Sequence, residues 1–384
     1  MELTKCKLGE LITQRREKND GSDLPICGVS KDGLIPPKQK DADTSIYNVF
    51  YRDDFIFNPA RMELNSIAIN DMYDRAICSS LYEVFYVHRT DLLLPHYLEL
   101  IIRQKWFTRY CKFLGQGSAR EYCRFGNISE IEIEFPPIEE QQKIVEYNTA
   151  IENRIALKQK INDNLVAVGT ASIQKNVGRG ALINLTEAEM DSLIFPEDFK
   201  IKTVSEFCAE TKSGSTPSRT NNEYWENGTI SWVKSGEVHN NITLQTEEYI
   251  TSLGLSESST KLLPKDTVLM AMYGVTAGEV GYLAIEATTN QAICGMICRS
   301  KAEAAYLYFS LIQSQAAISR LSNGGAQDNL SKNFIDNIKI VVPPSEFIEK
   351  LNLAAIVEQM TLNTKEITLL EELQATVLAQ LSSH

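Results

Sequence analysis

No run of about 18 apolar residues occurs in the 384-residue sequence, so no segment reads as a membrane-spanning helix. The opening Met1-Glu-Leu-Thr-Lys-Cys-Lys7 lacks the apolar core of a secretory signal, and the cytoplasm is the expected compartment. Histidine is scarce: His88, His96, His239 and His384 show no H-x₃-H spacing, and the eight cysteines form no C-x-x-C pair. A zinc site is therefore not expected. Cys294 and Cys298 sit in the apolar run Ala292-Ile-Cys-Gly-Met-Ile-Cys298, a setting for small buried thiols. An excess of basic charge is also missing, since 38 basic groups face 50 acidic ones for a net −12. That balance is a caution against nucleic acid but not a veto, because only one face needs to be basic. The net charge is −2 over residues 1–137, +1 over 138–180, −7 over 181–345 and −4 over 346–384.

What the sequence does contain is a duplication. Leu114–Pro137 aligns without a gap on Leu321–Pro344 at an offset of 207, matching Gly117 with Gly324, Ala119 with Ala326, Ile128 with Ile335, Ile131 with Ile338, and the two Pro-Pro pairs. Weaker echoes lie upstream: Arg75-Ala-Ile-Cys with Gln291-Ala-Ile-Cys, Asp53-Asp-Phe-Ile with Lys265-Asp-Thr-Val, and Leu8-Gly-Glu-Leu with Val204-Ser-Glu-Phe. Each repeat reads as short strands such as Ser45–Tyr51 and Thr229–Val233, then a helix near Pro95–Lys112 or Ala302–Arg320. An alternating strand follows, Ile131–Phe135 or Ile338–Val342, and Pro-Pro ends it because proline cannot donate to a ladder.

After each Pro-Pro the spacing predicts a long helix, roughly Glu139–Gln174 and Glu346–Leu381. The first carries Ile144, Tyr147, Ile151, Ile155, Ile161, Leu165 and Val168; the second carries Ile348, Leu351, Ile356, Met360, Ile367, Leu370, Leu373 and Val377. Lys158, Asn162 and Asn363 interrupt the apolar series. At about 1.5 Å per residue each helix reaches some 50 Å, more than a small domain needs. Pairing with each other is the favoured reading, with a seam of Ile144, Ile151, Ile155, Ile161, Leu165, Ile356, Met360, Ile367, Leu370 and Leu373. The alternative is that each helix caps its own domain. The chain thus divides into 1–137, 138–180, 181–345 and 346–384, as domain, long helix with linker, domain, long helix.

The sharpest motif is Lys212-Ser-Gly-Ser-Thr-Pro-Ser218, where glycine allows close approach and hydroxyls can bond phosphates. It is followed by Ile230-Ser-Trp-Val-Lys-Ser-Gly-Glu237, Thr289-Asn-Gln291, Gly325-Ala-Gln-Asp-Asn-Leu-Ser331 and Pro343-Pro344. In this order the series resembles the specificity subunits of Type I restriction–modification enzymes, and the resemblance covers nearly the whole chain. It implies an α/β (α+β) fold with two similar target-recognition domains, separated by two long antiparallel helices in a pseudo-twofold arrangement. Each domain would read one half of a bipartite site in double-stranded DNA. The helices would set the spacer and dock two methyltransferase (modification) subunits. Restriction/translocase subunits would complete the complex. No cofactor is implied for this chain; S-adenosylmethionine, ATP and magnesium are expected on the partner subunits. Repeat 1 departs from the pattern, with Gln14-Arg-Arg-Glu-Lys18 in place of the hydroxyl-rich stretch and Tyr73-Asp-Arg75 in place of Thr-Asn-Gln. Its Gly28-Val-Ser-Lys-Asp-Gly-Leu-Ile-Pro-Pro37 resembles another variety of recognition domain in that family.

Base-edge readout needs Arg or Lys for guanine and Asn or Gln for adenine. In repeat 2 the candidates are Lys212, Ser215, Thr216, Arg219, Lys234, Ser235, Asn290, Gln291, Gln327 and Asn329, with Tyr273 to pack on a sugar or base. In repeat 1 they are Arg15, Arg16, Lys18, Lys31, Lys38, Arg61, Arg75, Gln116, Arg120 and Arg124. Each single cation has the plainer reading of a solvated surface charge, and Gln327 and Asn329 that of a polar loop. Trp232 alternates with strand residues and reads as core. Substituting Lys212 or Arg219 is expected to weaken binding and flatten its salt dependence.

Enzymatic readings find little support. An adenine methyltransferase needs Asn/Asp-Pro-Pro-Tyr/Phe, whereas Phe135-Pro-Pro-Ile138 and Val342-Pro-Pro-Ser345 lack both ends of that motif. Gly115-Gln-Gly-Ser-Ala-Arg120 is a truncated glycine pattern, and no Walker lysine loop is present. Pro196-Glu-Asp198 with Glu210-Thr-Lys212 mimics a metal-dependent nuclease pattern of a kind that chance supplies often. A coiled-coil adaptor that binds only proteins is the remaining rival, and the ordered motif series speaks against it.

Overall fold

The computed structural model describes residues 3–31, 33–37, 43–115, 122–183, 185–240, 242–322 and 329–381. The chain forms two compact units: residues 1–154 with 370–384, and residues 155–369. Both mix strands with helices, and the long helix Ile138–Asn176 lies in the middle of the sequence.

Unit 1 is built on short strands, of which Phe55–Phe57 and Ile67–Ile69 are buried along their whole length. Thr4–Lys7 pairs antiparallel with Glu132–Phe135. One four-stranded sheet runs in the order Ile12–Arg15, Glu83–Val87, Phe55–Phe57, Ile67–Ile69. A second runs Gly33–Ile35, Ile26–Ser30, Arg75–Cys78, Asn48–Tyr51. Phe55 and Phe85 stack at 4.9 Å between centroids, and helices Pro95–Ile102 and Lys105–Gly115 close the same core. The expected helix Pro95–Lys112 is therefore two helices.

Unit 2 repeats this pairing. Lys200–Thr203 pairs antiparallel with Lys339–Val342, as Thr4–Lys7 does with Glu132–Phe135. The sheet Glu210–Ser213, Ile293–Ile297, Thr267–Ala271, Val280–Leu283 has the order of the first unit 1 sheet, with Ile242–Thr243 added. Ile230–Val233 lies parallel to Thr288–Thr289, as Ile26–Ser30 lies parallel to Arg75–Cys78. Single backbone bonds recur too. The Leu8 N–H donates to Ile131 O and the Val204 N–H to Ile338 O, both at 2.9 Å. Asp53 and Asp266 both turn with positive φ, at 64° and 67°. The Asp53 echo holds only with a shift of one residue, since the sequence set Asp54 against Asp266, and another echo fails outright. Arg75–Cys78 corresponds to Thr288–Thr289, and Ile293–Ile297 corresponds instead to Glu83–Val87. Buried strands draw on the same small apolar residues, so Ala-Ile-Cys recurs in strands that do not correspond.

The central helix spans Ile138–Asn176 as its spacing predicts, but the C-terminal one is interrupted. It forms Ser345–Lys350 and Leu353–Leu381, with Asn352 at φ 53°, a left-handed conformation that asparagine adopts more readily than most residues. In unit 2 the two helical stretches pair antiparallel: Lys158 reaches Asn363 and Glu366, and Asn162 reaches Met360, Asn363 and Thr364. In unit 1 Gln374 donates to Asn148 at 3.0 Å and to Glu152 at 3.2 Å. The covered stripe of the central helix follows a seven-residue repeat through Gln141, Asn148, Ile155, Asn162 and Gly169. Tyr147 and Val168 fall off that stripe and are exposed, and on the C-terminal helix the seam candidate Leu373 is half exposed. The other seam candidates are at least partly covered, with Met360 fully so. The stripe itself is partly polar, so tracking apolar residues alone drifts away from it.

Candidate nucleic-acid interface

In unit 2 four separated sequence segments meet at one end of the sheet. Strands Thr267–Ala271 and Val280–Leu283 form a hairpin whose tip holds Tyr273 and the turn Gly274–Thr276. The Met272 N–H donates to Ala292 O at 2.7 Å, and Leu330 N–H to Met272 O at 2.8 Å. Tyr273 itself bridges to Asn329. These bonds place Tyr273 and Asn329 beside Gln291. Thr216 joins them, its hydroxyl donating to Gln291 Oε1 at 2.5 Å. Gly214 makes this approach possible: a Cβ there would lie 2.1 Å from Thr289 Oγ1 and 2.3 Å from two backbone oxygens. The Ser215 N–H then donates to Thr289 O at 2.9 Å, while its carbonyl accepts the Trp232 indole N–H at 3.1 Å. Trp232 is core, 2 % exposed.

The basic candidates of unit 2 are differently engaged. The Arg219 guanidinium lies 3.6 Å from the Trp225 centroid and 4.8 Å from that of Trp232, and it pairs with Glu248. Lys234 pairs with Glu247 and, at 3.3 Å, with the same Glu248. Hydrogen bonding from Arg219, helped by Lys234, holds the Glu248 carboxyl below its usual range; Glu247 raises Lys234 above its own. Lys212 pairs with Glu210 at 2.8 Å. Asn290 accepts the Ala292 N–H through its side chain, so its carbonyl shapes the turn. Ser235 opens the 3₁₀ turn Ser235–Asn240 that follows Lys234.

Unit 1 offers a cleft of about 1030 Å³ at the corresponding end. Lys31, Arg61 and Arg124 line it together with Tyr47, Tyr82 and Tyr122. The correspondence is carried by the backbone: Cys123 N–H donates to Pro59 O at 3.0 Å, as Leu330 N–H does to Met272 O. Tyr122 thus occupies the place of Asn329. Ser79 and Ser80 follow Arg75–Cys78 as Asn290 and Gln291 follow Thr288–Thr289, and they too line the cleft. Sequence reading missed Tyr122, Ser79 and Ser80; the strand equivalence that reveals them is visible only in the pairing.

The remaining unit 1 candidates lie on side chains that bind the fold. Arg15 forms two bonds to Asp54, at 2.6 and 3.0 Å, and sits over the rings of Tyr51 and Tyr86. Asp54 is 1 % exposed. Lys18 donates to Ile46 O and to Asn48, Arg75 pairs with Glu17 and Asp20, and exposed Arg16 bonds Gln14. Arg124 is 3.4 Å from Glu83 at the cleft wall. Lys38, Gln116, Arg120 and Gln327 lie outside the described residues. Among the described residues no three His, Cys, Asp or Glu side chains come together as metal ligands, and no helix is long and apolar enough to cross a membrane.

Comparison with known proteins bears on the whole arrangement. The model of the Type I restriction modification DNA specificity domain matches twice, over residues 9–167 and 196–375. The HindI specificity subunit of Haemophilus influenzae is 22 % identical over 357 residues, covering 76 % of this chain and 77 % of that one. The EcoR124I/EcoR124II specificity subunit of Escherichia coli is 26 % identical over 200 residues, covering 51 % of this chain and 46 % of its own length. Among solved structures, a Type I restriction–modification S subunit from M. genitalium superposes with a TM-score of 0.57 at 15 % identity, over 99 % of this chain and 96 % of that one.

Proposed function

Since the chain belongs to the family of Type I restriction–modification DNA specificity subunits, which are non-catalytic, we propose that each of its two units reads one half of a bipartite DNA site. The recognition domains are residues 1–137 and 181–345. Residues 138–180 and 346–384 supply the paired helices that fix the unread spacer and dock two methyltransferase subunits. Restriction/translocase subunits join that assembly. S-adenosylmethionine, ATP and magnesium belong to these partners, and the complex works in the cytoplasm.

One observation carries the reading. The two units share strand pairing, yet at corresponding positions they present different polar side chains, Tyr122 and Ser80 in unit 1 against Asn329 and Gln291 in unit 2, and the corresponding hairpin tips carry Arg61 and Tyr273. A common scaffold with different readout groups is what two dissimilar half-sites require. We assign base contacts to Gln291, Asn329, Thr216 and Tyr273 in unit 2 and to Arg61 and Arg124 in unit 1, with Lys31 on a phosphate. Arg15, Arg75, Lys212, Arg219 and Lys234, matched by carboxylates and no more than half exposed, support the scaffold around them; Arg124, also near Glu83, is 67 % exposed and reaches the cleft.

Co-expression with a cognate methyltransferase, followed by genome-wide mapping of N6-methyladenine, tests this. A bipartite motif with a fixed gap, one half of which changes when residues 181–345 are exchanged for another recognition domain, is the expected result. A stable complex that marks no bipartite sequence would remove the reading.

A further inference from the structure

Val275 is fully exposed at the tip of the unit 2 hairpin. The tip around it is pinned by its own backbone: Ala277 N–H donates to Gly274 O, Gly278 N–H to Ala271 O and Glu279 N–H to Thr276 O, at 2.8–3.1 Å. Gly274 turns there at φ 73°. An apolar side chain on a pinned tip in water gains free energy only when apolar surface covers it. Its surroundings say which surface. Tyr273 precedes it, and Asn329 and Gln291 stand beside that tyrosine, so the local chemistry is amide-rich and its nearby cations are already paired. Amides recognise adenine through N6 and N7 in the major groove, and the apolar group of that groove is the 5-methyl of thymine. Valine is also shorter than the Phe, Leu, Ile and Met side chains that wedge between base steps from the minor groove. The corresponding hairpin of unit 1, between Phe55–Phe57 and Ile67–Ile69, carries Arg61 in its tip segment, a side chain suited to guanine.

We propose that Val275 is a specificity contact that packs on the 5-methyl group of a thymine in the half-site read by unit 2. The inference rests on the DNA-reading function proposed above and adds the base and the atom that this position senses. Removing the methyl removes the contact and nothing else.

The test uses the chain in complex with its modification subunits and duplexes carrying the site found by methylation mapping. Each thymine of the unit 2 half-site is replaced singly by uracil, which deletes only the methyl, and affinity is read by fluorescence anisotropy. One replacement is expected to weaken the unsubstituted complex about four-fold, the worth of one methyl-sized apolar contact. Val275→Ala, which lacks both γ-methyls and so falls short of the base, should bind the thymine and uracil duplexes alike, and Val275→Thr, which keeps one γ-methyl, should restore the difference. If every replacement changes both complexes by the same factor, Val275 does not read thymine, although the half-site assignment stands. If the complex marks no bipartite site at all, the functional reading fails and this inference falls with it.

Discussion

The side-chain amides of Asn162 and Asn363 bond to each other at 2.9 Å across the helix pair of unit 2, and Asn363 is 1 % exposed. Lys158 and Gln359 donate to the same Asn363 carbonyl, each at 3.1 Å, while Asn162 turns its other end to Thr364 at 3.2 Å. These residues look like defects in an apolar series when read along one strand of sequence. Across the pair they are a single satisfied polar layer. Such a layer costs some stability relative to an apolar one but can be met only in one register.

Asn363→Ala should destabilise the protein by about 1–3 kcal/mol, because Lys158, Asn162 and Gln359 lose a shared partner inside the pair. Replacing both asparagines by leucine should recover most of that loss, since no orphaned amide remains. Urea unfolding followed by circular dichroism compares the two. Equal midpoints for Asn363→Ala and the parent would mean the network carries no stability.

Acidification should release Arg219. Glu248 titrates below its ordinary 4.5 in the folded chain because Arg219 and Lys234 bond its charged form. Its contribution is therefore complete above 4.5 and disappears as pH falls through the lower, folded value. Trp225 and Trp232 report the change, as both rings contact the Arg219 guanidinium. In a Trp106→Phe background their fluorescence should show a transition below pH 4.5 that Glu248→Gln abolishes. A transition unaffected by that substitution belongs to another group.

Gly214→Ala is the sharpest test of the Thr216–Gln291 meeting. The added methyl has no room beside Thr289 and Asn290, and overpacking of this kind costs about 1–3 kcal/mol. Methylation at sites with the unit 2 half should fall while complex assembly persists. Wild-type methylation would show that the loop can reach DNA without this approach.

Readout should separate by unit. Gln291→Ala and Asn329→Ala should each lose about 1–3 kcal/mol of discrimination in one half-site, and Arg61→Ala and Arg124→Ala in the other. Lys31→Ala should lower the salt slope by about one, as loss of one phosphate contact does. Against the expectation from sequence for Arg219, Arg219→Gln and Lys234→Gln, whose charges are already matched by Glu248 and Glu247, should leave that slope unchanged. A change in both half-sites from any single base-contact variant would contradict the division of labour.

Much of this was legible in one dimension. The gapless offset of 207 between Leu114–Pro137 and Leu321–Pro344 reports a duplicated helix–strand segment, and Pro-Pro reports where its strand stops, because both follow from local backbone chemistry. Helical periodicity likewise placed the central helix within two residues of its ends, since 3.6-residue spacing is a property of the chain itself. The motif order was enough to name a family that the comparisons then matched over most of the chain.

Tertiary structure decided which side chains are available. Arg15 and Lys31 are indistinguishable as cations in sequence, yet Asp54 binds the first and the cleft exposes the second, because partners distant in sequence determine whether a charge is free. Lys158, Asn162 and Asn363 change from interruptions to one network for the same reason. The equivalence of Tyr122 with Asn329, and of Ser80 with Gln291, lies in strand pairing and backbone bonds, which place side chains in space without constraining what those side chains are. Sequence therefore determined the repeating scaffold, whose demands are local and periodic, and packing assembled the proposed reading surface, whose demands are met only when separate segments converge.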